Sequence, residues 1–220
     1  MADQPSVHRL AAAIEVWSNL VVSEAELGRR RRVRDPLAMK AAIVNALLAA
    51  LDEDDFFPSA KTLAARANVS ERSVFVHFAD LDELRAAATQ AQSDRVASLL
   101  TPIEQHQPLP DRIEQVVDQT ASVYIMQRRA RLVGLMEACS RPSVDSRMRL
   151  TEQRFRDWLA DAFEPELTDR GTDEIDIELL DALESTTSWG FRYHLIERRG
   201  RTQESASRVV TRSLTLLLRR

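Results

Sequence analysis

The sequence has 220 residues, of which 44% are hydrophobic, 29% are charged and only 5 are glycine. This composition favours an all-α protein with one large domain or two small ones. No apolar run reaches the roughly 18 residues of a membrane span. A net charge of -4 argues against a protein that binds nucleic acid over its whole surface. A local basic patch is still compatible with this charge.

The N-terminal part, residues 1–35, is predicted to be an extension of the main fold. Residues 7–27 have the apolar spacing of an amphipathic helix, and the segment lacks the features of a signal peptide or a membrane anchor. A run of basic residues follows, with six basic residues and one acidic residue between Arg29 and Lys40. This arm could follow DNA phosphates or enter a minor groove, with Arg32 as a candidate contact. The alternative is a solvated linker.

Residues 36–86 are predicted to form a small helical bundle. Helices are expected over 36–51, 60–67 and 71–78, and a fourth begins after Asp80 and reaches about Glu104. Each helix is preceded by a side chain that can accept a hydrogen bond from the first turn. These expected N-caps are Asp35, Ser59, Ser70 and Asp80.

The second and third helices are separated by a very short step, which indicates a helix-turn-helix. Ala64 is small enough for a close helix crossing, and Asn68 tolerates a left-handed backbone. Leu63, Val69 and Val74 have the spacing of apolar contacts that hold two such helices together. With Ser70 as its cap, the third helix presents its N-terminal end outward, as a recognition helix does in the major groove.

Candidate DNA contacts follow from this placement. Arg72 can read guanine and Glu71 can accept from cytosine, while Ser70 and Ser73 lie at the same end of the helix. Phosphate contacts, which fix the register without reading sequence, are expected from a second set of residues. These residues are Lys40, Lys61, Phe75 and His77.

The stretch "SAKTLAARANVSERSVFVHF" (59–78) resembles the DNA-binding domain of TetR-family transcriptional regulators. The family pattern of cap, Ile-Ala pair, Ala-Gly-Val-Ser turn and Leu-Tyr-x-His-Phe ending corresponds to Ser59, Leu63-Ala64, "ANVS" (67–70) and "VFVHF" (74–78). The close match covers about 36–86. Three departures stand out: Asn68 replaces Gly, Phe75 replaces Tyr without its hydroxyl, and Leu81 replaces a phosphate-binding Lys.

The remainder, residues 87–220, is predicted to be a C-terminal helical domain. After a "QHQPLPD" joint, helices are expected over 111–127, 129–139, 144–164, 173–198 and 202–219, with Gly200 ending the penultimate one. Cys139 is the only cysteine, so no internal disulfide can form, and a buried small side chain is preferred over a reactive thiol. The thiol and the absence of a leader favour a cytoplasmic protein.

The resemblance implies a C-terminal domain that encloses a small-molecule inducer and forms a homodimer through its last two helices. Candidate ligand contacts are Tyr124, Trp158, Trp189 and His194. For any single one of these residues an ordinary core position is the preferred interpretation, and the apolar stripes of the last two helices could be buried within one chain.

No phosphate loop, metal-spaced cluster or nucleophile triad is apparent, so we expect no enzyme, no metal and no cofactor. The sequence predicts a sequence-specific regulator, most simply a repressor that leaves a palindromic DNA operator when an inducer binds. The alternative is a helical module that kept the fold but binds a protein partner. Leu81 and the acidic run 52–55 favour this alternative.

Overall fold

The computed structural model describes residues 35–168 and 174–219. Within these ranges the only extended pairing is an isolated antiparallel bridge between Thr168 and Ile175, so the all-α prediction is confirmed. The helices are α1 Pro36–Asp52, α2 Ala60–Arg66, α3 Glu71–His77, α4 Leu81–Leu99, α5 Leu109–Ala138, α6 Pro142–Ala162, α7 Glu164–Leu167, α8 Ile177–Thr187, α9 Trp189–Tyr193 with a following π-helical turn His194–Arg198, and α10 Gln203–Leu217. The predicted helix over 7–27 and the arginine arm, including Arg32, lie outside the described residues.

The starts of the first four helices are fixed by side-chain caps. Each of the four residues expected from the sequence accepts a hydrogen bond from a backbone N–H of its first turn, at 2.8 to 3.1 Å. In α4 the Glu83 carboxylate also accepts from the backbone N–H of Ala79, at 2.6 Å. Satisfied first-turn donors explain how helices as short as α2 and α3 begin at defined residues.

The turn between α2 and α3 has the expected left-handed backbone. Asn68 has a φ of 52°, and the backbone N–H of Val69 donates to the Ala64 carbonyl at 2.9 Å. Leu63 and Val74 are each about 1% exposed, so the turn presses the apolar faces of both helices into the core. The predicted helix-turn-helix is therefore present.

The core of α1, α2 and α3 extends beyond these three helices. Leu84 and Ala88 of α4 and Val133 of α5 are buried in the same cluster as Val74 and Phe78. A second core lies farther along the chain and joins α5, α6, α8 and α10. Its most buried members include Val116, Leu159, Phe163, Leu183, Val210 and Leu214.

Three helix boundaries differ from the sequence prediction. The helices expected over 111–127 and 129–139 form the single helix α5, because no breaker separates them. Helix α4 ends at Leu99 rather than near Glu104, since the residue before Pro102 is disfavoured in a helix. The helix expected over 173–198 begins at Ile177 and breaks at Ser188, which has a ψ of 156° and caps the next segment through the Phe191 N–H.

Two smaller expectations had different outcomes. Gly200 ends the π-helical turn with a φ of 65°, which confirms it as the stop before α10. The interpretation of Cys139 as a buried residue is wrong, because its side chain is exposed just after the end of α5.

The turn can be tested by changing Asn68. We expect Asn68→Val to lower the free energy of unfolding by about 1–2 kcal/mol, because a β-branched residue is strained in the left-handed region. Asn68→Gly is the matched control and should stay within about 0.5 kcal/mol of the parent protein, because glycine adopts this conformation freely. Urea unfolding followed by circular dichroism measures both. Equal stability of the valine and glycine variants would contradict the assigned turn.

Candidate nucleic-acid interface and ligand cavity

The outward face of α3 combines two charged and two apolar side chains. Glu71, Arg72, Phe75 and Val76 are all exposed, and their spacing of i, i+1, i+4 and i+5 places them on one side of the helix. The opposite side packs into the core through Val74. The charged pair lies at the N-terminal end of α3 and the apolar pair toward its C-terminal end.

Ser70 and Ser73 lie at the start of this face, and both are already engaged. The Ser70 hydroxyl accepts from the Ser73 backbone N–H at 3.1 Å, and the two hydroxyl oxygens are 2.7 Å apart. One hydroxyl must donate to the other, so this pair serves first to fix the beginning of α3.

The two predicted lysine contacts have different surroundings. Lys40 lies over the ring of Phe78, 5.2 Å from its centroid, and 3.9 Å from the Glu83 carboxylate. Both Lys40 and Glu83 are about half exposed, so this ion pair contributes little. Lys61, near the start of α2, is exposed and makes no ion pair within the part of the chain that the structure describes.

His77 and Leu81 both face the protein. The His77 Nε2 atom lies 2.9 Å from the Met39 Sδ atom, so the half-buried ring bridges α3 and α1. Leu81 packs against the core of the first three helices. Leu81, where TetR-family regulators usually have a phosphate-binding lysine, thus contributes to packing. A phosphate contact from His77 stays a prediction.

Val76 is the residue that the sequence reasoning missed on this face. It is 70% exposed and lies beside Phe75, which is 49% exposed. The sequence spacing could have identified it. Val74 and Phe78 lie four residues apart and both face the core, and a residue two positions from each points to the opposite side of a helix.

A cavity of about 160 Å³ lies between α4, α5, α6, α8 and α9. Tyr124 and Trp189 both line it, with ring centroids 6.1 Å apart, and Phe155 adds a third aromatic ring. The structure thus brings together two of the four predicted ligand contacts. Trp158 lies outside this cavity and donates from Nε1 to the Thr101 carbonyl at 2.8 Å, and His194 is exposed on the π-helical turn.

The Tyr124 hydroxyl is held in its neutral form. Burial, followed by the nearby Glu197 carboxylate, raises the pKa of Tyr124 to about 12. The hydroxyl donates to Glu197 Oε1 at 3.2 Å, and Arg128 pairs with the same carboxylate. The phenol donor is therefore already satisfied by the protein.

A second, smaller cavity of about 60 Å³ reaches toward the first three helices. It lies between α1, α4, α5 and α6, and Leu47 and Leu51 of α1 form part of its wall. Both cavities share four lining residues: Val96, Gln127, Arg131 and Thr151. These shared side chains separate a space beside α1 from a space beside α9.

A cluster of charges joins α4 to the end of α5 next to the smaller cavity. The buried carboxylate of Glu137 pairs with Arg85 at 3.0 Å and with Arg141 at 3.5 Å. Asp82 pairs with the same two arginines, at 3.2 Å and 3.1 Å. The start of α4, directly after the helix-turn-helix, is therefore fixed to the end of α5 by ionic contacts as well as by apolar packing.

The last two long helices divide their apolar residues between the core and the surface. Ala206, Val210 and Leu214 of α10 are fully buried within the chain, as is Leu183 of α8. An adjacent stripe stays partly or fully open, so only part of the apolar surface noted in the sequence is available to a partner. This stripe, the open face of α8 and α10, consists of Leu179, Ala182, Thr186, Val209, Ser213 and Leu216.

Comparison with solved structures identifies the fold. A transcriptional regulator from Rhodococcus sp. Rha1 aligns with a TM-score of 0.67 at 18% sequence identity, covering 81% of this chain and 95% of that chain. A protein from Mesorhizobium loti MAFF303099 assigned to the TetR family of transcriptional regulators aligns with a TM-score of 0.65 at 15% identity, covering 84% and 96%. The multidrug binding protein EbrR, in complex with imidazole, aligns with a TM-score of 0.55 at 19% identity, covering 79% and 93%.

The chain thus has the all-α fold of TetR-family transcriptional regulators, and the resemblance seen in the helix-turn-helix segment is confirmed at the level of the fold. No family model and no curated protein matches the sequence. Among the described residues, no helix is both long and apolar enough to span a bilayer, and no cluster of three potential metal ligands occurs.

Proposed function

We propose that this protein is a homodimeric transcriptional regulator of the TetR type that binds a palindromic DNA operator through α3 and is released from it by a small molecule. The outward face of α3 carries this proposal, because it presents Arg72 and Glu71 at the end of the helix that reads bases in a helix-turn-helix. Such a face on a fold shared with transcriptional regulators favours DNA over other partners.

The open face of α8 and α10 supports the homodimer. It is apolar or small along both helices, and Val209 and Leu216 are 37% and 59% exposed. A Cβ atom at the exposed Gly190 would meet nothing closer than the Ser188 Oγ, at 3.8 Å, so the single chain does not itself require glycine there. Glycine would instead permit a partner helix to approach closely. Two-fold symmetry then implies half-sites about one helical turn apart or somewhat more.

The cavities support an effector site coupled to DNA binding. The larger cavity lies beside α8 and α9, and the smaller one lies beside α1, with α4 and α5 bordering both. A molecule that binds better when these helices are displaced would shift α4 and with it the spacing of the two α3 helices. Equal affinity for the DNA-bound and the free forms would exclude this coupling.

The second candidate is a helical module that binds a protein. Leu81, packed inward in place of a phosphate-binding lysine, favours it, as does the exposed Phe57. The acidic run 52–55 supports it less, because Glu53 and Asp54 form ion pairs with Arg66 and Arg129 within the chain. The two candidates differ in the consequence of removing Arg72.

We expect Arg72→Ala to weaken binding to the selected operator by about 1–3 kcal/mol, because alanine cannot donate to guanine. Operator sequences are obtained by selection from a random duplex library at near-physiological salt, and affinities are measured by fluorescence anisotropy. Arg154→Ala, which removes another exposed arginine, from α6, is the matched control. Failure of the parent protein to enrich any palindrome would favour the protein-binding candidate.

Lys61→Ala should act differently from Arg72→Ala. We expect it to weaken binding to all DNA sequences by a similar factor, and to make the salt dependence shallower by about 0.9 in log-log slope for each phosphate that the lysine neutralises. Titrations at several salt concentrations measure this slope. An unchanged slope would exclude Lys61 from the interface.

The exposed apolar pair on α3 predicts contacts with thymine methyl groups. We expect replacement of thymine by deoxyuridine, one operator position at a time, to weaken binding at one or two positions, because only the methyl group is removed. In Val76→Ala the loss of affinity caused by replacing thymine with deoxyuridine should be smaller, while the affinity for the uracil-containing operator should stay close to that of the parent protein. Insensitivity of the parent protein at every position would show that neither Phe75 nor Val76 reads a methyl group.

The dimer is tested by Val209→Arg. We expect this change to produce monomers, because it places a charge in an apolar two-fold interface where each copy faces the other. Thr211→Arg introduces the same side chain on another, exposed side of α10 and should leave the dimer intact. Light scattering coupled to size-exclusion chromatography measures the mass. A dimeric Val209→Arg variant would place the interface elsewhere.

A further inference from the structure

Two buried hydrogen-bond donors in the wall of the larger cavity have no acceptor. The Nε atom of Arg131 and the Nε1 atom of Trp189 are both inaccessible to solvent and lack a hydrogen-bond partner within the described ranges. Both side chains line the same cavity. An unsatisfied buried donor is destabilising, so two around one space call for an acceptor inside it.

The carboxylates of the cavity wall are already paired. Glu152 accepts from Arg131, and Glu184 accepts from Arg156. A cationic ligand would therefore have to compete with an existing arginine for either carboxylate. No unpaired negative charge is available to it in this part of the described chain.

A buried arginine behind the wall adds positive charge. Arg192 is fully buried, and its guanidinium donates to the Val117 carbonyl at 2.8 Å and to the hydroxyl of Thr120, a lining residue, at 3.1 Å. No carboxylate of the described residues lies within ion-pairing distance of it. The electrostatic environment of the cavity thus favours an electron-rich group over a cation.

The size and lining of the cavity restrict the rest of the ligand. About 160 Å³ is close to the roughly 150 Å³ of an apolar cavity that holds benzene. Three aromatic side chains, Tyr124, Phe155 and Trp189, contribute to the wall. One aromatic ring fits such a space and can stack or meet the wall rings edge to face.

We propose that the cavity binds a small, single-ring aromatic molecule that carries a carbonyl or carboxylate group, whose oxygen accepts hydrogen bonds from Trp189 Nε1 and Arg131 Nε. The inference rests on the effector site of the proposed function and names its ligand class. Trp189 and Arg131 select ligands that carry a hydrogen-bond acceptor over ligands that lack one, and the aromatic side chains of the wall bind the ring.

Four probes of similar shape test this ligand class on the full chain without DNA. Acetophenone and benzoate carry the acceptor, toluene lacks any polar group, and benzylammonium carries a cation. We expect acetophenone or benzoate to bind roughly tenfold tighter than both toluene and benzylammonium, as one or two hydrogen bonds allow. Dissociation constants come from tryptophan fluorescence and from the rise in melting temperature with ligand concentration.

Conservative variants test the two donors. Trp189→Phe keeps a ring but removes the N–H, and Arg131→Lys keeps the charge opposite Glu152 but removes Nε. Each should abolish most of the preference for the acceptor-bearing probe while leaving the affinity for toluene within about twofold. Trp158→Phe is the matched control, because Trp158 lies outside the cavity and should leave the preference unchanged.

Either of two results would overturn the assignment: benzylammonium binding as tightly as benzoate and acetophenone, or a preference that survives both donor variants. Absence of binding by all four probes would also overturn it and would indicate that water satisfies the two donors. If Trp189→Phe does not fold, Arg131→Lys and the probe series on the parent protein still decide. These measurements use no DNA, so they test the ligand class separately from the proposed function. A negative result with the probes leaves operator selection unaffected, and a failed operator selection leaves the probe results unaffected.

Discussion

The apolar core shared between the helix-turn-helix and the two helices that follow it is the constraint on which the rest of the structure depends. Leu84 and Ala88 of α4 are buried against Val74 and Phe78, and Val133 of α5 closes the same cluster. Separating α4 from the first three helices would expose Leu84 at a cost of about 1.5–3 kcal/mol for that side chain alone. The first three helices and the start of α4 therefore move together, and any motion that reaches α3 must involve α4 and α5.

The ionic cluster around Glu137 narrows the motions that remain. The Glu137 carboxylate is buried and pairs with both Arg85 and Arg141. A motion that separates it from one of these arginines leaves the charges of the separated pair poorly compensated. Such a cluster favours a few discrete arrangements over continuous sliding, which is what a two-state response to a ligand requires. The smaller cavity is lined by Arg85 and Glu137, so a molecule that expands it would press on this connection.

Local features of the fold were predictable from the sequence because their causes are local. The four N-caps, the left-handed Asn68 and the stop at Gly200 each depend on one residue and its neighbours along the chain. The break at Ser188 was not predictable, because serine and threonine are tolerated within helices and the hydroxyl interactions that interrupt this one are settled by packing. The same limit applies to the candidate ligand site. Trp158 and Trp189 look alike in the sequence, but only the fold determines that the first has a backbone acceptor and that the second has none among residues 35–168 and 174–219.

The break at Ser188 also has a consequence for the coupling between sites. It places Trp189 at the start of α9, where its side chain lines the larger cavity while the neighbouring Gly190 is exposed. Through the shared residues Gln127 and Arg131, the same cavity adjoins the space beside α1. In the proposed regulator, a ligand oxygen bound to Arg131 Nε would therefore act on the pair with Glu152 of α6 and on the wall of the smaller cavity at once. In the proposed regulator, one small molecule would thus reach both the α9 side and the α1 side of the chain through a single arginine, without any long chain of intermediate contacts.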